Sequence, residues 1–476
     1  MNDATEHEER IRQSLAEWTA SAELSVPSPD FIRARGTGRM RRKRAATAVA
    51  AVAAVAALTL GVIQIGQSES RPSHGTTALV QLVAHVGRVH LPAAAAETTA
   101  AAHADTELMT GVTRALLGSS GTNNVLVSPS SLAEVLTQLE LGARGATATQ
   151  IADALGENGV PATQQATDWN LLSQKLAADA KSSGDVLQES NGLFLENTLS
   201  VKPAFLNALA SNFGEGIWRA DFRDDPAKAA AQISNWAGHV THFNIPSLLS
   251  NGSVNNRTAF VVANALRFSA KWSANYRFSI TKTTQAVFHL ANGTKSTVAM
   301  MHLTNDLKAT TSHGVTAVEL PYAGNRFSAL VVEPTRGSLT SMVSSLTPGG
   351  ITSIVKGLQL TTVTLSLPRF TLRASTSCDS ALRTLDINDA FGSEADFGGI
   401  TNTQVALSQV SQSQEISVSE SGTDAGTAST VVGDVIRAER RQIAADFDHP
   451  FLFLIRDNST GAVLFEAVVA NPGPST

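Results

Sequence analysis

The pattern of apolar and polar residues divides the chain near residue 104. From about residue 105 onward, apolar positions recur with helical spacing in some segments and alternate with polar positions in others, which indicates helices mixed with strands. The helices are expected at residues 106–117, 131–141, 147–155 and 169–182. Because strands and helices do not alternate regularly and no repeat is evident, the pattern predicts an α+β domain with a large, mostly antiparallel sheet.

The part of the chain before residue 104 contains a run of apolar and uncharged residues, 45–63. Seven lysines and arginines lie between residues 33 and 44, directly before this run. A transmembrane helix needs roughly 20 apolar residues, and its basic flank lies on the cytoplasmic side of the membrane. The pattern therefore predicts a single-pass membrane protein with a cytoplasmic tail at 1–44, a transmembrane helix at 45–63, a linker at 64–103 and an extracellular domain at 104–474.

Two alternatives to the membrane helix are an uncleaved or late-cleaved signal peptide and a buried helix of a soluble protein. The charged region of a signal peptide is normally short, whereas 44 residues precede this apolar run. Within the predicted linker, one short apolar element is expected around residues 78–89.

The composition excludes several classes of function. Charged residues make up only 16% of the chain and the formal net charge is -5, so no nucleic-acid partner is expected. The single cysteine, Cys378, cannot form an intramolecular disulfide and is expected to be a small buried apolar residue. The sequence contains no nucleophile elbow, zinc-protease helix or phosphate loop. A hydrolase is therefore disfavoured, and neither a cofactor nor a metal is expected.

The segment 420–441 has an unusual distribution of small residues. Alternate side chains of an extended chain point to opposite faces. The odd positions from 423 to 435 carry no charge, whereas Asp424 and Asp434 both occupy even positions. The segment is nevertheless too rich in Gly, Ala, Ser and Thr to be a strong strand by itself. It is interpreted either as a plain exposed loop or as a loop that becomes a sheet strand in a second state.

From about residue 105 to its end, the chain resembles the serpin family in an ordered series of motifs. These motifs are NVLVSPSSLAEVLTQLELGARGAT at 124–147, NGLF at 191–194, ISNW at 233–236, FSAKW at 268–272, ELPY at 319–322, LPRF at 367–370, ADF at 395–397 and DHPFLFLIRDNSTGAVLFEAVVANP at 448–472. Ser269 and Ala270 stand where the family usually has Lys-Gly, and Ala467 stands where glycine is usual. The resemblance implies the serpin fold, in which helices surround a large central sheet and a reactive-centre loop, here about 420–445, is exposed.

The resemblance also implies a suicide-substrate inhibitor of serine proteases rather than an enzyme, and it assigns roles to residues. The hinge of the loop, whose small residues are typical of inhibitory members, comprises Glu420, Gly422, Thr423, Asp424, Ala425, Gly426, Thr427, Ala428 and Ser429. The shutter, beneath the opening of the sheet, comprises Asn124, Ser128, Ser131, Asn264 and Gln412. Gln412 stands where histidine is common, so a pH-dependent shutter is not expected. Asn124 and Ser128 are also compatible with ordinary turn and helix-cap roles.

The position of the scissile bond has two equal alternatives. Counting forward from Gly422 by the spacing usual in the family places the bond between Ile436 and Arg437. Counting back from Pro450 puts about Glu439 before the bond, so the loop is about three residues longer than is common. Arg437 lies between the two counts, which makes Arg437–Ala438 the other candidate. Arg437 would attract a trypsin-like protease, whereas Ile436 would attract an elastase-like or subtilisin-like one. The adjacent arginines at 440–441 form a third, weaker candidate.

The expected partners are therefore a target serine protease and, through residues 45–63, a membrane. The anchor and the absence of disulfides suggest a bacterial cell surface. The alternative function is that of a non-inhibitory binding protein with the serpin fold, also at the cell surface.

Overall fold

The computed structural model describes residues 79–90, 95–120, 123–241, 248–249, 252–423 and 442–473. The predicted membrane helix at 45–63 lies outside these residues. Among the residues described, no helix has both the length and the apolar character needed to cross a membrane. The described elements all belong to one compact unit, Thr77–Thr476.

The described ranges contain nine α-helices. They are α1 (Ala95–Ser120), α2 (Pro129–Gly142), α3 (Gly145–Ala154), α4 (Ala162–Ser183), α5 (Pro203–Phe213), α6 (Pro226–Thr241), α7 (Leu339–Ser345), α8 (Pro348–Gly357) and α9 (Asp379–Thr384). The four predicted helices correspond to α1–α4. Helices α1 and α4 begin earlier than predicted because the Ala-, Thr- and Gln-rich stretches before them favour helix but contain too few large apolar residues to show a period.

Sixteen strands are present in the same ranges. They are β1 (Val80–Leu82), β2 (Val125–Val127), β3 (Val186–Glu196), β4 (Ile217–Ala220), β5 (Phe260–Lys271), β6 (Thr284–His289), β7 (Lys295–Thr310), β8 (Val315–Pro321), β9 (Phe327–Pro334), β10 (Gln359–Pro368), β11 (Phe370–Ser377), β12 (Leu407–Ser419), β13 (Gly422–Thr423), β14 (Gln442–Asp446), β15 (Phe451–Asp457) and β16 (Val463–Val469).

The strands form two sheets. The seven-stranded sheet has the order β1-β4-β3-β5-β13-β12-β11, and β5 also pairs directly with β12. The nine-stranded sheet has the order β14-β10-β7-β8-β9-β15-β16-β2, with β6 paired to β7. Most pairs are antiparallel, as predicted, but β5–β12, β3–β4 and β10–β14 are parallel.

Helix α2 lies in the main core. Its N-terminus is capped by Ser128, whose side-chain oxygen accepts a hydrogen bond from the Ser131 amide at 3.2 Å. Pro129 follows at the first helical position, where its fixed φ is compatible with the helix and its missing N–H leaves no donor unpaired. Leu136 and Leu139 are at most 1% exposed. The cap therefore fixes the start of a helix that is almost fully buried in the core.

The seven-stranded sheet is buried on both faces along β5. Val262 and Leu266 belong to the main core, whereas Val261 and Ala263 pack with Ile233 of α6 in a second cluster. This alternation follows from the period of two along a strand. Helix α6 therefore covers the outer face of the sheet, and the even-numbered residues of β5 face inward.

Two parts of the segment 64–103, which the sequence predicts to be a linker, belong to the folded body. Strand β1 lies at the edge of the seven-stranded sheet, within the short apolar element expected around residues 78–89. Helix α1 begins at Ala95, because alanine has the highest helix propensity even where it forms no apolar stripe. The folded body therefore begins before the predicted domain boundary at residue 104.

Candidate functional site

The central seam of the seven-stranded sheet, between β5 and β12, has two different sections. In the closed section, residues 260–266 of β5 pair directly and in parallel with residues 407–414 of β12. In the open section, β13 lies between the two strands and is antiparallel to both. There Gly422 pairs with Lys271 and Ser419, and Thr423 pairs with Ala270 and Val418. The seam thus admits a third strand at one end only.

The turn that brings the chain from β12 into β13 depends on Gly422. Its φ is +149°, a conformation that side chains strongly disfavour. A Cβ atom at this position would lie 2.2 Å from the Ala270 carbonyl oxygen. The carbonyls of Ser421 and Glu420 accept hydrogen bonds from the amides of Trp272 and Phe278, at 3.0 and 3.1 Å. The turn is therefore held by backbone contacts that only glycine permits.

Thr423 is the first hinge residue whose side chain enters the sheet. It is 1% exposed, and its hydroxyl lies 2.6 Å from that of Tyr322. The Tyr322 ring stacks on Trp272, with centroids 4.6 Å apart. The indole N–H of Trp272 donates to the Ser419 carbonyl at 2.9 Å. Burial raises the pKa of the Tyr322 phenol, so this hydroxyl stays neutral. The stacked rings of Trp272 and Tyr322 and the small side chain of Thr423 therefore line the place where β13 enters between β5 and β12.

Glu420 anchors the other side of the turn. Its carboxylate accepts a hydrogen bond from the Thr283 hydroxyl at 2.6 Å and forms an ion pair with Arg369. Burial alone would raise the pKa of Glu420, but the hydrogen bonds from Arg369 and Thr283 outweigh it and lower the pKa. The charged form is therefore the stable one at this position.

The closed section is lined by amide and hydroxyl groups. The Gln412 side chain accepts from the Ser128 amide at 3.1 Å and donates to the Ser128 carbonyl at 2.9 Å. Asn264, paired with Gln412 across the seam, donates to Asn191 at 2.8 Å. The Ser128 hydroxyl donates to that of Ser131 at 2.8 Å. Four of the five predicted shutter residues are thus joined in one buried network.

Asn124 does not belong to this network. Its side chain is exposed and accepts hydrogen bonds from the amides of Ala470 and Asn471, both at 2.8 Å. It also donates to the Asn471 carbonyl at 2.7 Å. The alternative interpretation, an ordinary turn role, therefore describes Asn124, whereas Ser128 caps α2 and also contacts Gln412.

Several predicted residues lie outside the described part of the chain. These are the hinge residues Asp424, Ala425, Gly426, Thr427, Ala428 and Ser429 and the candidate reactive-bond residues Ile436, Arg437 and Ala438. Conversely, Thr283, Tyr322, Arg369 and Asn191 have contacts in the site but were assigned no role from the sequence. One detectable signal was the run of glutamines and serines in β12, since such residues are unusual in a fully buried strand.

The described residues contain side chains of the types that bind metal ions, and they contain the single thiol of the chain. Within the ranges that the structure describes, no three His, Cys, Asp or Glu side chains are arranged to bind a metal ion. Cys378 is fully buried, as expected, and burial raises the pKa of its thiol. The thiol is therefore an apolar filler and not an activated nucleophile.

Comparison with known proteins identifies this architecture. A family model described as "Serpin (serine protease inhibitor)" matches residues 103–472. The chain belongs to the serpin family. Serpin-Z7 of Hordeum vulgare is 32% identical over 370 residues, covering 75% of this chain and 92% of that protein. Leukocyte elastase inhibitor of Sus scrofa is 30% identical over 381 residues, covering 78% of this serpin and 98% of that protein.

Solved serpin structures show the same fold. Native protease nexin-1 with heparin has a TM-score of 0.68 and 27% identity, covering 79% of this serpin and all of that chain. Human thyroxine-binding globulin in complex with its ligand has a TM-score of 0.70 and 24% identity, covering 79% of this serpin and 99% of that chain. Because the family contains both protease inhibitors and binding proteins, membership alone does not assign inhibition to this chain.

Proposed function

We propose that this serpin inhibits a serine protease as a suicide substrate. The serine oxygen of the protease attacks the carbonyl carbon of the scissile bond, the amide bond breaks, and the new N-terminus leaves with a proton from the protease's general acid. The loop remains attached to the protease as an ester. Insertion of the loop between β5 and β12 then carries the protease along and stalls hydrolysis of this ester. The scissile bond is Ile436–Arg437 or Arg437–Ala438.

The observation that carries this proposal is the direction of β13. The chain leaves the end of β12, turns at residues 420–421 and runs back between β5 and β12. A longer β13 would be antiparallel to both neighbours, and it would replace one parallel ladder with two antiparallel ladders. Antiparallel pairing is slightly more stable per residue, and the number of interstrand hydrogen bonds rises. The described form is then a kinetically held state with a more stable successor.

The composition of the loop supports the same mechanism. The next side chains that would follow Thr423 onto its face of the sheet are Ala425, Thr427 and Ser429. All are small and uncharged. A buried unpaired charge there would cost several kcal/mol, and an extra bulky group about 1–3 kcal/mol. The hinge therefore has the side chains that insertion requires.

Incubation with trypsin, elastase and subtilisin tests the proposal. The expected product with at least one protease is a complex that survives denaturing electrophoresis. Mass spectrometry of the released C-terminal peptide then locates the cut. A peptide that begins at Ala438 identifies a trypsin-like target, and one that begins at Arg437 identifies an elastase-like or subtilisin-like target. Cleavage within residues 420–445 by all three proteases without any stable complex would contradict inhibition of these classes.

The alternative, a non-inhibitory binding protein, makes a different prediction for the cleaved protein. Loop insertion adds a strand to the sheet, so cleavage should raise the temperature of unfolding of an inhibitory serpin. A cleaved protein that unfolds at the same temperature as the intact one would show that the loop does not insert. That outcome would favour the binding function.

We further propose that residues 45–63 anchor this serpin in a membrane, with the serpin domain outside the cell. The support is the uncharged run after a basic cluster. The full chain should remain in the membrane pellet after an alkaline wash. Protease added to intact cells should remove a C-terminal epitope and spare an N-terminal one. Release by the wash, or protection of the C-terminal epitope, would contradict the anchor.

A further inference from the structure

Residues 79–90, here called the N-terminal segment, precede the part of the chain matched by the family model and are docked on the folded body. Strand β1 pairs with the edge strand β4, with Val80 opposite Arg219 and Leu82 opposite Ile217. Beyond β1, the Val89 amide donates to the Ser211 carbonyl of α5 at 2.8 Å. The segment therefore connects the sheet edge with the neighbouring helices.

The far end of the segment is attached to α4. The Val89 carbonyl accepts hydrogen bonds from the side-chain amides of Asn170 and Gln174, at 2.9 and 3.0 Å. The imidazole Nδ1 of His90 lies 2.7 Å from the side-chain oxygen of Gln174. These contacts join three elements, β4, α4 and α5, through one segment.

Arg88 is the inward-pointing residue of this segment. Every other residue between 85 and 90 is exposed, whereas Arg88 is partly buried. Its Nε donates to the Asn170 side-chain oxygen at 2.8 Å, and a guanidinium nitrogen donates to the Ser173 hydroxyl. The arginine stem passes over Gly214, where a Cβ atom would lie 3.4 Å from the Arg88 Cδ. The guanidinium is thus held by directed contacts.

The charge of Arg88 acts on three buried carboxyl groups: Glu134 of α2, Glu189 of β3 and Glu215, which precedes β4. Burial raises the pKa of all three, and the charge of Glu189 raises the pKa of Glu134 and Glu215 further. The charge of Arg88 lowers the pKa in each case. The net shift is upward in all three, so the charge of Arg88 offsets only part of the effect of burial on the pKa values of this acidic cluster.

This cluster is continuous with the polar network of the closed section. Glu189 accepts a hydrogen bond from Ser131, which is bonded to Ser128. Glu215 accepts from the backbone amide of Asn191 at 3.3 Å, and the Asn191 side chain accepts from Asn264. The acidic cluster, whose pKa values the charge of Arg88 lowers, is thus linked through these hydrogen bonds to the residues beneath the seam.

We propose that residues 79–90 are an intramolecular clamp: the segment, docked on β4, α4 and α5 and held by the hydrogen bonds of Arg88 to Asn170 and Ser173, keeps the closed section of the seam paired. Removal of the Arg88 guanidinium leaves the buried Asn170 side chain without one of its hydrogen-bond partners, which is destabilising. The clamp is a property of the uncleaved protein, so it does not require that the loop traps a protease.

Amide hydrogen exchange of the full-length Arg88→Gln variant tests the clamp. Peptides from β3, β5 and β12 should exchange about tenfold faster than in the wild type, since hydrogen bonds to charged groups are among the stronger ones. Arg88→Lys, which keeps the charge but loses the planar fork, should exchange at an intermediate rate. The matched control is Arg257→Gln at an exposed arginine, which should leave these peptides unchanged. Unchanged exchange in Arg88→Gln would overturn the proposal.

Gly216→Ala displaces the segment without changing any charge. A Cβ atom at Gly216 would lie 2.0 Å from the Leu82 carbonyl oxygen, so β1 must move away. The same peptides should exchange faster in this variant. If both variants act by releasing one segment, the double variant should exchange no faster than the faster single variant. Independent, multiplying effects of the two substitutions would overturn a single clamp, whether or not the wild type inhibits any protease.

Discussion

The closed and open sections of the seam are built from the same two strands but filled in different ways. In the closed section the strands pair with each other above a network of amides and hydroxyls around Gln412. In the open section a third strand separates them, and Trp272, Tyr322 and the Glu420–Arg369 ion pair hold it in place. Amide side chains contain both donors and acceptors, so they can exchange partners. The open section is held by specific anchors, whereas the closed section is lined by groups that the proposed loop insertion would require to change partners.

The proposed mechanism requires a sheet that is stable as described and that also opens between β5 and β12. If β13 lengthens, it keeps every contact of the open section and replaces only the closed section. The parallel ladder is lost, and the polar network must find new partners.

Thr423→Arg should prevent β13 from inserting between β5 and β12, because a charged side chain cannot occupy the buried position beside Tyr322. An unpaired charge there costs several kcal/mol. The variant should be cleaved in the loop without forming a stable complex, which denaturing electrophoresis with the target protease would show. Thr423→Ser, which keeps the hydroxyl and the small size, is the control and should still form the complex. Undiminished complex formation by Thr423→Arg would contradict the insertion path.

Gln412→Leu should weaken the closed section selectively. It leaves the Ser128 amide without its side-chain partner, at a cost of about 1–3 kcal/mol for an unpaired group, whereas the Ser128 carbonyl keeps the hydrogen bond from the Leu132 amide. The free energy of unfolding, measured with urea, should fall by about 2 kcal/mol. Ser408→Ala, on the same strand but outside the network, should change it by less than about 0.5 kcal/mol. Equal losses in both variants would show that the network has no special role.

Glu420→Gln should weaken the anchor of the open section and change its pH dependence. The folded-state pKa of Glu420 is lowered below its ordinary value of 4.5, so the carboxylate stabilises the fold above that pH. This contribution disappears as the pH falls through the folded-state pKa. Because Arg369 is 40% exposed, the loss in the variant at pH 7 should be only about 1 kcal/mol.

The check for Glu420 is a series of urea unfolding measurements between pH 3 and pH 7. The difference between wild type and Glu420→Gln should be constant near neutrality and should shrink at the acid end. A difference that grows on acidification would show that the sign of this contribution is wrong.

Tyr322→Phe should lower the free energy of unfolding by no more than Glu420→Gln does. The ring can still stack on Trp272, but the Thr423 hydroxyl loses its partner, a loss of about 1 kcal/mol. The Thr423 amide should then exchange hydrogen a few times faster, while the amides of the closed section keep their rates. Faster exchange in both sections would mean that the two sections open together and are not independent.

The motifs predicted much of the fold because each is a local signal. Ser-Pro-Ser-Ser specified the start of α2, and the four helices were found where their apolar periods are strong. The first turns of α1 were not predicted because an alanine-rich stretch resembles a linker in composition, even though alanine favours helix. Strand β1 is only three residues long, and its pairing with β4 depends on residues more than 130 positions away.

The candidate site was predicted in part, residue by residue. Ser128, Ser131, Asn264 and Gln412 do meet beneath the seam, whereas Asn124 binds the C-terminal segment. A short polar side chain beside an apolar strand is compatible with either role, and only its neighbours distinguish them. The role of Arg88 could not be predicted from the sequence, because its hydrogen-bond partners Asn170 and Ser173 lie more than 80 positions away.

The sequence by itself determined the family, the main helices and the uncharged odd positions from 423 to 435, because these follow from order, period and side-chain type. Only the tertiary structure decided that the Thr423 hydroxyl contacts that of Tyr322, that Gln412 is hydrogen-bonded to Ser128, and that the N-terminal segment pairs with the sheet edge. The first two contacts join residues 101 and 284 positions apart. Contacts at such separations are set by the packing of the whole domain, and no local pattern of side chains encodes them.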